Sequence, residues 1–378
     1  MGIITRNFAN NVLSSGTLDA TDGIDGVIPS SNIANASVTN ITELPPAIEV
    51  IESVATDPGS PDEGEVWYNS TDNVIKLQSV TTVGTWAAGG NLNTGRRVMG
   101  AAGTQTSALA FGGTTPPDAI VDATEKYNGT AWTSNPTGLG TARIGLAGAG
   151  TQTAALGFGG RTLPGAVTNT ESFNGSTFSP VNSMNTARSG LGGAGIQTAA
   201  LGFGGSNHTP AQSGSEGLQT ATELWNGTSW TNNPTGLNTA RNTIAPATAG
   251  TQTAALGFGG YVAPPITWSS ATESWNGSTW TTVNSLNTGR RNLSGAGTQT
   301  SALAFAGLSS GDTTSGATEL WNGTSWTTNP NSMATARSSI GGTGTQAAAL
   351  AIGGGPTGVS TEEFTGPGVA QTKTVTVS

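Results

Sequence analysis

Twelve charged residues recur at fixed places in this chain, and their types are those that could do chemistry. Arg96, Arg143, Arg188, Arg241, Arg290 and Arg337 each stand in a Thr-x-Arg context, and Glu125, Glu171, Glu223, Glu273, Glu319 and Glu362 each follow a Thr. Acids and bases gathered around one site could cleave a glycosidic bond, which needs paired carboxylates. The same residues could instead pair with each other or bond to turns. Sixfold copying favours this, because a substrate is asymmetric and equal numbers of both signs suit mutual neutralisation better than ligand capture. Between-unit ion pairing or bonding to turns is therefore the expectation. The chain has no Cys, so it has no disulfide, thiolate metal site or cysteine nucleophile, and His208 is its one histidine. Phosphate-loop and metal-cluster motifs are absent as well. The expectation is a protein that is not an enzyme, with no cofactor and no metal.

The elements that position these residues repeat with them. Ala108–Gly113 reads ALAFGG, with near-copies at Ala155–Gly160, Ala200–Gly205, Ala255–Gly260, Ala302–Gly307 and Ala349–Gly354. The Gly residues that close the preceding stretch (Gly103, Gly150, Gly195, Gly250, Gly297 and Gly344) are 47, 45, 55, 47 and 47 apart. A fixed period of this length means one supersecondary unit used repeatedly. Each of five copies then carries Asn-Gly between β-favouring residues, from Asn128-Gly129 to Asn322-Gly323. Asn-Gly is the strongest short hairpin signal, because both residues accept φ > 0. The turn also accounts for the Asn-Gly-Thr/Ser sequons without any sugar. Each unit thus holds two hairpins and four strands, and nothing has helical period. The fold class is all-β.

Units of this length, with four strands, a double Gly closing the second and an aromatic opening the fourth, resemble kelch repeats over residues 83–366. The resemblance implies a six-bladed β-propeller of four-stranded blades. The sixth copy lacks its fourth-strand aromatic, with Val369 at that position, while Trp86 stands ten residues before Arg96. Strand 83–88 is therefore expected to complete the sixth blade and close the ring, and Thr372–Ser378 to add to an edge. Copper oxidases of this architecture need a Cys-linked Tyr and His ligands, which this chain lacks. The NGTSW segments also lack the Asp of sialidase-type boxes.

In a four-stranded meander the strand 1–2 and 3–4 turns lie at one end, and here they are uniform. The strand 2–3 loops lie at the other end and vary between copies, which marks a surface free to take up specific contacts. Tyr261 and Trp268 lie in the fourth of these loops, His208 in the third, and Arg161 and Asp118 in neighbouring ones. The expected ligand site has the aromatics stacking on sugar rings and the polar groups supplying hydrogen bonds. The alternatives are that Tyr261 and Trp268 fold over their own blade and that His208 simply faces solvent.

Residues 1–95 hold eleven acids against Arg6 and Lys76, whereas the remainder holds eleven of each sign, so the whole net charge of −9 lies in the first quarter. No basic footprint for nucleic acid is present, and no apolar run suggests a secretory signal or membrane insertion. Residues 57–78 read as a hairpin, strand EVWYN, turn STDN, strand VIKL. The segment DPGSPDEGEVWYNSTDNVIKL resembles a small hairpin module of tailed-bacteriophage structural proteins, Gly16–Pro46 is similar to spacers near the attachment ends of tail fibres, and GTQTAALGFGG units resemble those of phage virion propellers. The expected domains are 1–56, an extended segment for virion attachment or oligomerisation, 57–82, a β-hairpin module, and 83–378, the propeller. These resemblances imply a tail-fibre-type virion protein on the particle surface, recognising a host-surface glycan or receptor. Its expected partners are other virion proteins, met through the N-terminal region, and further copies of itself. A purely architectural virion part, such as a head decoration or tail-tube component, and a bacterial surface adhesin are the alternatives.

Overall fold

The computed structural model describes residues 51–61, 65–80, 83–207, 217–263, 265–355, 358–368 and 370–375. His208 and nearly all of the expected segment 1–56 lie outside them. Among the described residues the chain is all-β, with no α-helix and a 3-10 turn at Ser310–Asp312. It divides into two compact units, one of residues 83–366 and one of residues 1–82 with 367–378.

The larger unit holds six four-stranded antiparallel sheets. In the first, Gly100–Gly103, Ala108–Phe111, Thr124–Tyr127 and Trp132–Ser134 pair in that order. The second (147–181), third (192–232), fourth (245–283) and fifth (294–328) repeat the pattern. The sixth takes Gly341–Gly344, Ala348–Ile352 and Thr361–Thr365 from the end of the array and Thr85–Ala88 from before its start, with Trp86 opposite Phe364. Local chemistry explains the hairpins. Asn128 Oδ1 accepts the N–H groups of Thr130 and Ala131 at 3.0 and 2.8 Å, while Gly129 takes φ +90°, which side chains resist.

Small residues on the first strands have a packing cause. A Cβ at Gly148 would collide with the Ala101 carbonyl of the neighbouring sheet, and one at Gly295 with the Pro246 carbonyl. Each first strand lies against that of the next sheet, and Gly341–Gly344 lies against Gly100–Gly103. The core between neighbouring sheets also holds aromatic pairs. Trp230, Trp280, Trp326 and Trp86 pack on Phe158, Phe203, Phe258 and Phe305 of the preceding sheet, with ring centroids 4.8–5.2 Å apart. Their indole N–H groups donate to Thr170, Thr222, Thr272 and Thr318 at 2.9–3.0 Å, and Trp132 of the first sheet donates to Thr361 of the sixth at 3.0 Å. Phe178, in the second sheet, keeps the packing against Phe111 but has no such donor.

In the smaller unit Glu52–Val54 runs parallel to Val66–Asn69, which pairs antiparallel with Val74–Val80. Ala370–Val375 then pairs with the free edge of Val74–Val80. The tail expected within a domain 83–378 thus falls outside the larger unit, because its backbone partners are on the hairpin edge, which would otherwise stay unpaired. Asp57 organises the hairpin, accepting from Trp67 Nε1 at 3.0 Å, Asn69 Nδ2 at 2.7 Å and Lys76 Nζ at 2.8 Å. Those donors, Lys76 first, hold the Asp57 carboxyl down at about 2.

Candidate functional site

The repeated charges form no open site. Each Arg Nη2 donates to the Glu of its own repeat at 2.8–3.0 Å, and both side chains are buried. Arg241 is typical. Its Nη1 donates to the carbonyls of Gly259 and Ala271 at 2.9 and 2.7 Å, holding the foot of the strand 2–3 loop. The other carboxylate oxygen of Glu273 accepts the N–H of Asn238, in the incoming connection, at 2.6 Å. Pairing is therefore within a repeat rather than between sheets, whereas bonding to turns and connections occurs throughout. Burial pushes each guanidinium below its ordinary value and the Glu beside it pulls it back. These carboxylates already accept from Arg and backbone, so none is poised as a general acid or base.

The turn end is equally committed. Gln152 Nε2 donates to the carbonyls of Ala108 and Tyr127 in the preceding sheet at 2.9 and 2.5 Å, and Gln252 donates to Ala200 and Trp225 at 2.9 and 2.6 Å. Gln105 of the first sheet reaches Ala349 and Phe364 of the sixth at 3.1 and 2.7 Å. The recurring TQT triplet is thus a sheet-to-sheet staple, a role that recurrence alone could not reveal because its partners lie 25–52 residues away, or at the far end of the array. Between the same two sheets, Tyr127 Oη donates to Glu363 Oε1 at 2.6 Å. Burial, with Glu363 adding to it, raises the phenol to about 12.

At the loop end the copies differ. Among the described residues short ribbons form in four loops, Thr114–Thr115 with Ala119–Ile120, Arg161–Thr162 with Gly165–Ala166, Tyr261–Val262 with Thr267–Trp268, and Leu308–Ser309 with Thr313–Thr314. Tyr261 stands opposite Trp268, yet Tyr261 is only 8% exposed, and its hydroxyl accepts from Asn242 Nδ2 at 3.1 Å. Trp268 is half-buried, with the Arg291 guanidinium 5.8 Å above its ring and Nε1 buried without a hydrogen-bond partner. Arg291 is held in turn by Asp312 at 2.7 Å. Asp118 is exposed and ion-paired with Arg97. Arg161 is exposed on its own ribbon. The structure brings Tyr261 and Trp268 together but folds them inward, and places Arg161 and Asp118 on the loops of other sheets. Sequence reasoning passed over Leu163 and Ile266, 83% and 50% exposed in two of these loops. Large apolar residues next to proline, Leu163 before Pro164 and Ile266 after Pro265, were the available signal.

A second feature of this end was not foreseen. Val98, Gly145, Gly190, Thr243, Asn292 and Ser339, one from each repeat, line an open depression of about 100 Å³ together with the apolar residue that follows each. All six have left-handed backbones, with φ between 51° and 63°. They are strung together by N–H to carbonyl bonds, Gly145 to Val98 at 2.9 Å, Gly190 to Gly145 at 2.8 Å, Val98 to Ser339 at 2.8 Å and Ser339 to Asn292 at 2.9 Å. The string is modified at Thr243, whose N–H turns to Asn242 Oδ1 at 2.7 Å while its hydroxyl accepts from Asn292 N–H at 3.4 Å. A Cβ at Gly190 would collide with that Asn242 oxygen.

No protein-family model matches the chain, and no curated protein sequence matches it.

Proposed function

We propose that the six sheets are the blades of a closed six-bladed β-propeller. We also propose that the chain is a bacteriophage virion protein of the tail-fibre type, whose loop end recognises a host-surface glycan. It sits on the outside of the particle, attached to other virion proteins through its N-terminal region and assembled with further copies of itself. The observation that carries this reading is the division of labour between repeated and varied residues. Every repeated Arg and Glu is bonded inside its own sheet and every repeated Gln reaches the preceding one, so the copies leave only their differing loops to meet a ligand. Closure is supported by contacts that run from the sixth sheet to the first through Trp132, Gln105 and Thr343, the last donating to Gly103 at 2.6 Å. The virion assignment rests on the likeness of residues 57–77 and of the repeat units to phage structural proteins.

The exposed Leu163 and Ile266 favour a second reading, in which the loop end packs on another virion subunit as an architectural part. Particles carrying Leu163→Asp with Ile266→Asp separate the two. Recognition requires normal particle yield with adsorption to host cells reduced at least tenfold. Normal adsorption with failed assembly makes the chain architectural, and no change in either contradicts both.

A further inference from the structure

We infer that the depression ringed by Val98, Gly145, Gly190, Thr243, Asn292 and Ser339 is a binding site for one uncharged, hydroxyl-rich ring, such as the terminal sugar of a glycan. The inference rests on the recognition reading above and gives it a location. It starts from backbone strain. All six positions have φ between 51° and 63°, where glycine is at ease and a side chain is not. Two repeats use glycine, as the backbone alone would dictate. The other four keep side chains there, two of them β-branched, for which such a φ is a genuine outlier. Strain kept in this way clusters where a side chain has a task.

The kind of side chain names the task. Thr243, Asn292 and Ser339 come from three consecutive repeats and form a polar arc, while Val98, Gly145 and Gly190 form a smooth one. All six are half-buried. The other six lining residues are apolar. Apolar lining residues with hydroxyls and a carboxamide on one side match a pyranose, which offers C–H groups on its face and hydroxyls on its rim. Among the described residues no charged one lines the depression, and Arg97 and Arg291 are each paired with an Asp, so neither an anion nor a cation is called for. A volume of about 100 Å³ is well below the roughly 300 Å³ at which sites for drug-sized ligands begin, so a chain end fits and an internal segment does not.

The test uses the full chain and four neutral probes, the methyl glycosides of glucose, galactose, mannose and N-acetylglucosamine, followed by saturation-transfer NMR. At least one is expected to bind in the millimolar range. Asn292→Gly and Ser339→Gly are expected to weaken that binding at least tenfold while melting at or above the temperature of the parent chain, because each removes a strained side chain. Binding unchanged in both variants overturns the inference, as does absence of binding by all four probes. A lower melting temperature in both overturns it too, since the side chains would then be structural. The recognition reading itself fails on the Leu163 and Ile266 particles, whose adsorption is a separate measurement.

Discussion

The two ends of the six sheets are made from the same repeat, yet they use their polar groups in opposite ways. At the turn end Asn128, Gln152 and their counterparts make the same bonds in copy after copy, with distances that agree within a few tenths of an ångström. At the loop end the residues differ, and the bond of Arg291 to Asp312 has a counterpart in the first copy alone, Arg97 to Asp118. A group already satisfied by its scaffold has little left to offer a ligand, since desolvating it again and leaving it unpaired costs free energy. Uniformity therefore marks structure, and divergence marks the surface left free for specific contacts.

The contrast can be broken most forcefully at the buried pairs. Glu273→Ala leaves the fully buried Arg241 without its counter-ion, and a loss of about 3–5 kcal/mol is expected in denaturant unfolding. Next comes the sheet-to-sheet indole bond. Trp280→Phe removes the donation to Thr222 and is expected to cost about 1 kcal/mol, whereas Phe178→Trp offers Thr124 the bond its sheet lacks and is expected to raise the melting temperature. Smaller again is Ser339→Gly, for which relief of the left-handed strain, roughly 1–2 kcal/mol, is offset by the entropy of the added glycine, about 0.5–1 kcal/mol. Arg291→Ala, at the half-exposed clasp, is expected to change stability by no more than about 0.5 kcal/mol.

Protonation tests the comparison without mutation. Tyr127 has its folded-state value raised to about 12, so its contribution between the first and sixth sheets is complete below about 10 and lost as pH climbs towards 12. Asp57 shifts the other way. Its value is lowered to about 2 from 3.8, so its support of the smaller unit is complete above pH 4 and lost as pH falls towards 2. Alkaline melting should then act on the larger unit and acid melting, through Asp57, on the smaller one, as followed by near-ultraviolet circular dichroism.

Sequence made the strands legible because Asn-Gly and the double Gly are local signals with local causes. It also matched Trp86 to the unfilled place beside Phe364, since a missing aromatic and a spare one are both visible in a repeat. Pairings at long range were less accessible. Arg241 and Glu273 were seen to recur together, but a periodic pattern cannot distinguish a partner in the same unit from one in the next, and the structure chose the same unit. The tail strand was visible from its alternation, but its partner, Val74–Val80, was not. Tyr261 and Trp268 had the composition of a sugar platform, yet Asn242 and Arg291, which contact them, are the differing residues just after the repeated Arg241 and Arg290, where no local pattern reveals a partner. The six residues around the depression escaped notice because their common property is a backbone angle, and Val, Gly, Thr, Asn and Ser have little else in common.

The most direct test compares host adsorption and thermal stability in two sets of particles. One set carries Leu163→Asp with Ile266→Asp at the loop end, and the other carries Gln152→Ala with Gln252→Ala at the turn end. The expected result is adsorption lost with melting unchanged in the first set, and melting lowered with residual adsorption by the folded fraction intact in the second. The reverse pattern, with the Gln variants losing adsorption at full stability, would contradict the assignment of recognition to the loops that differ.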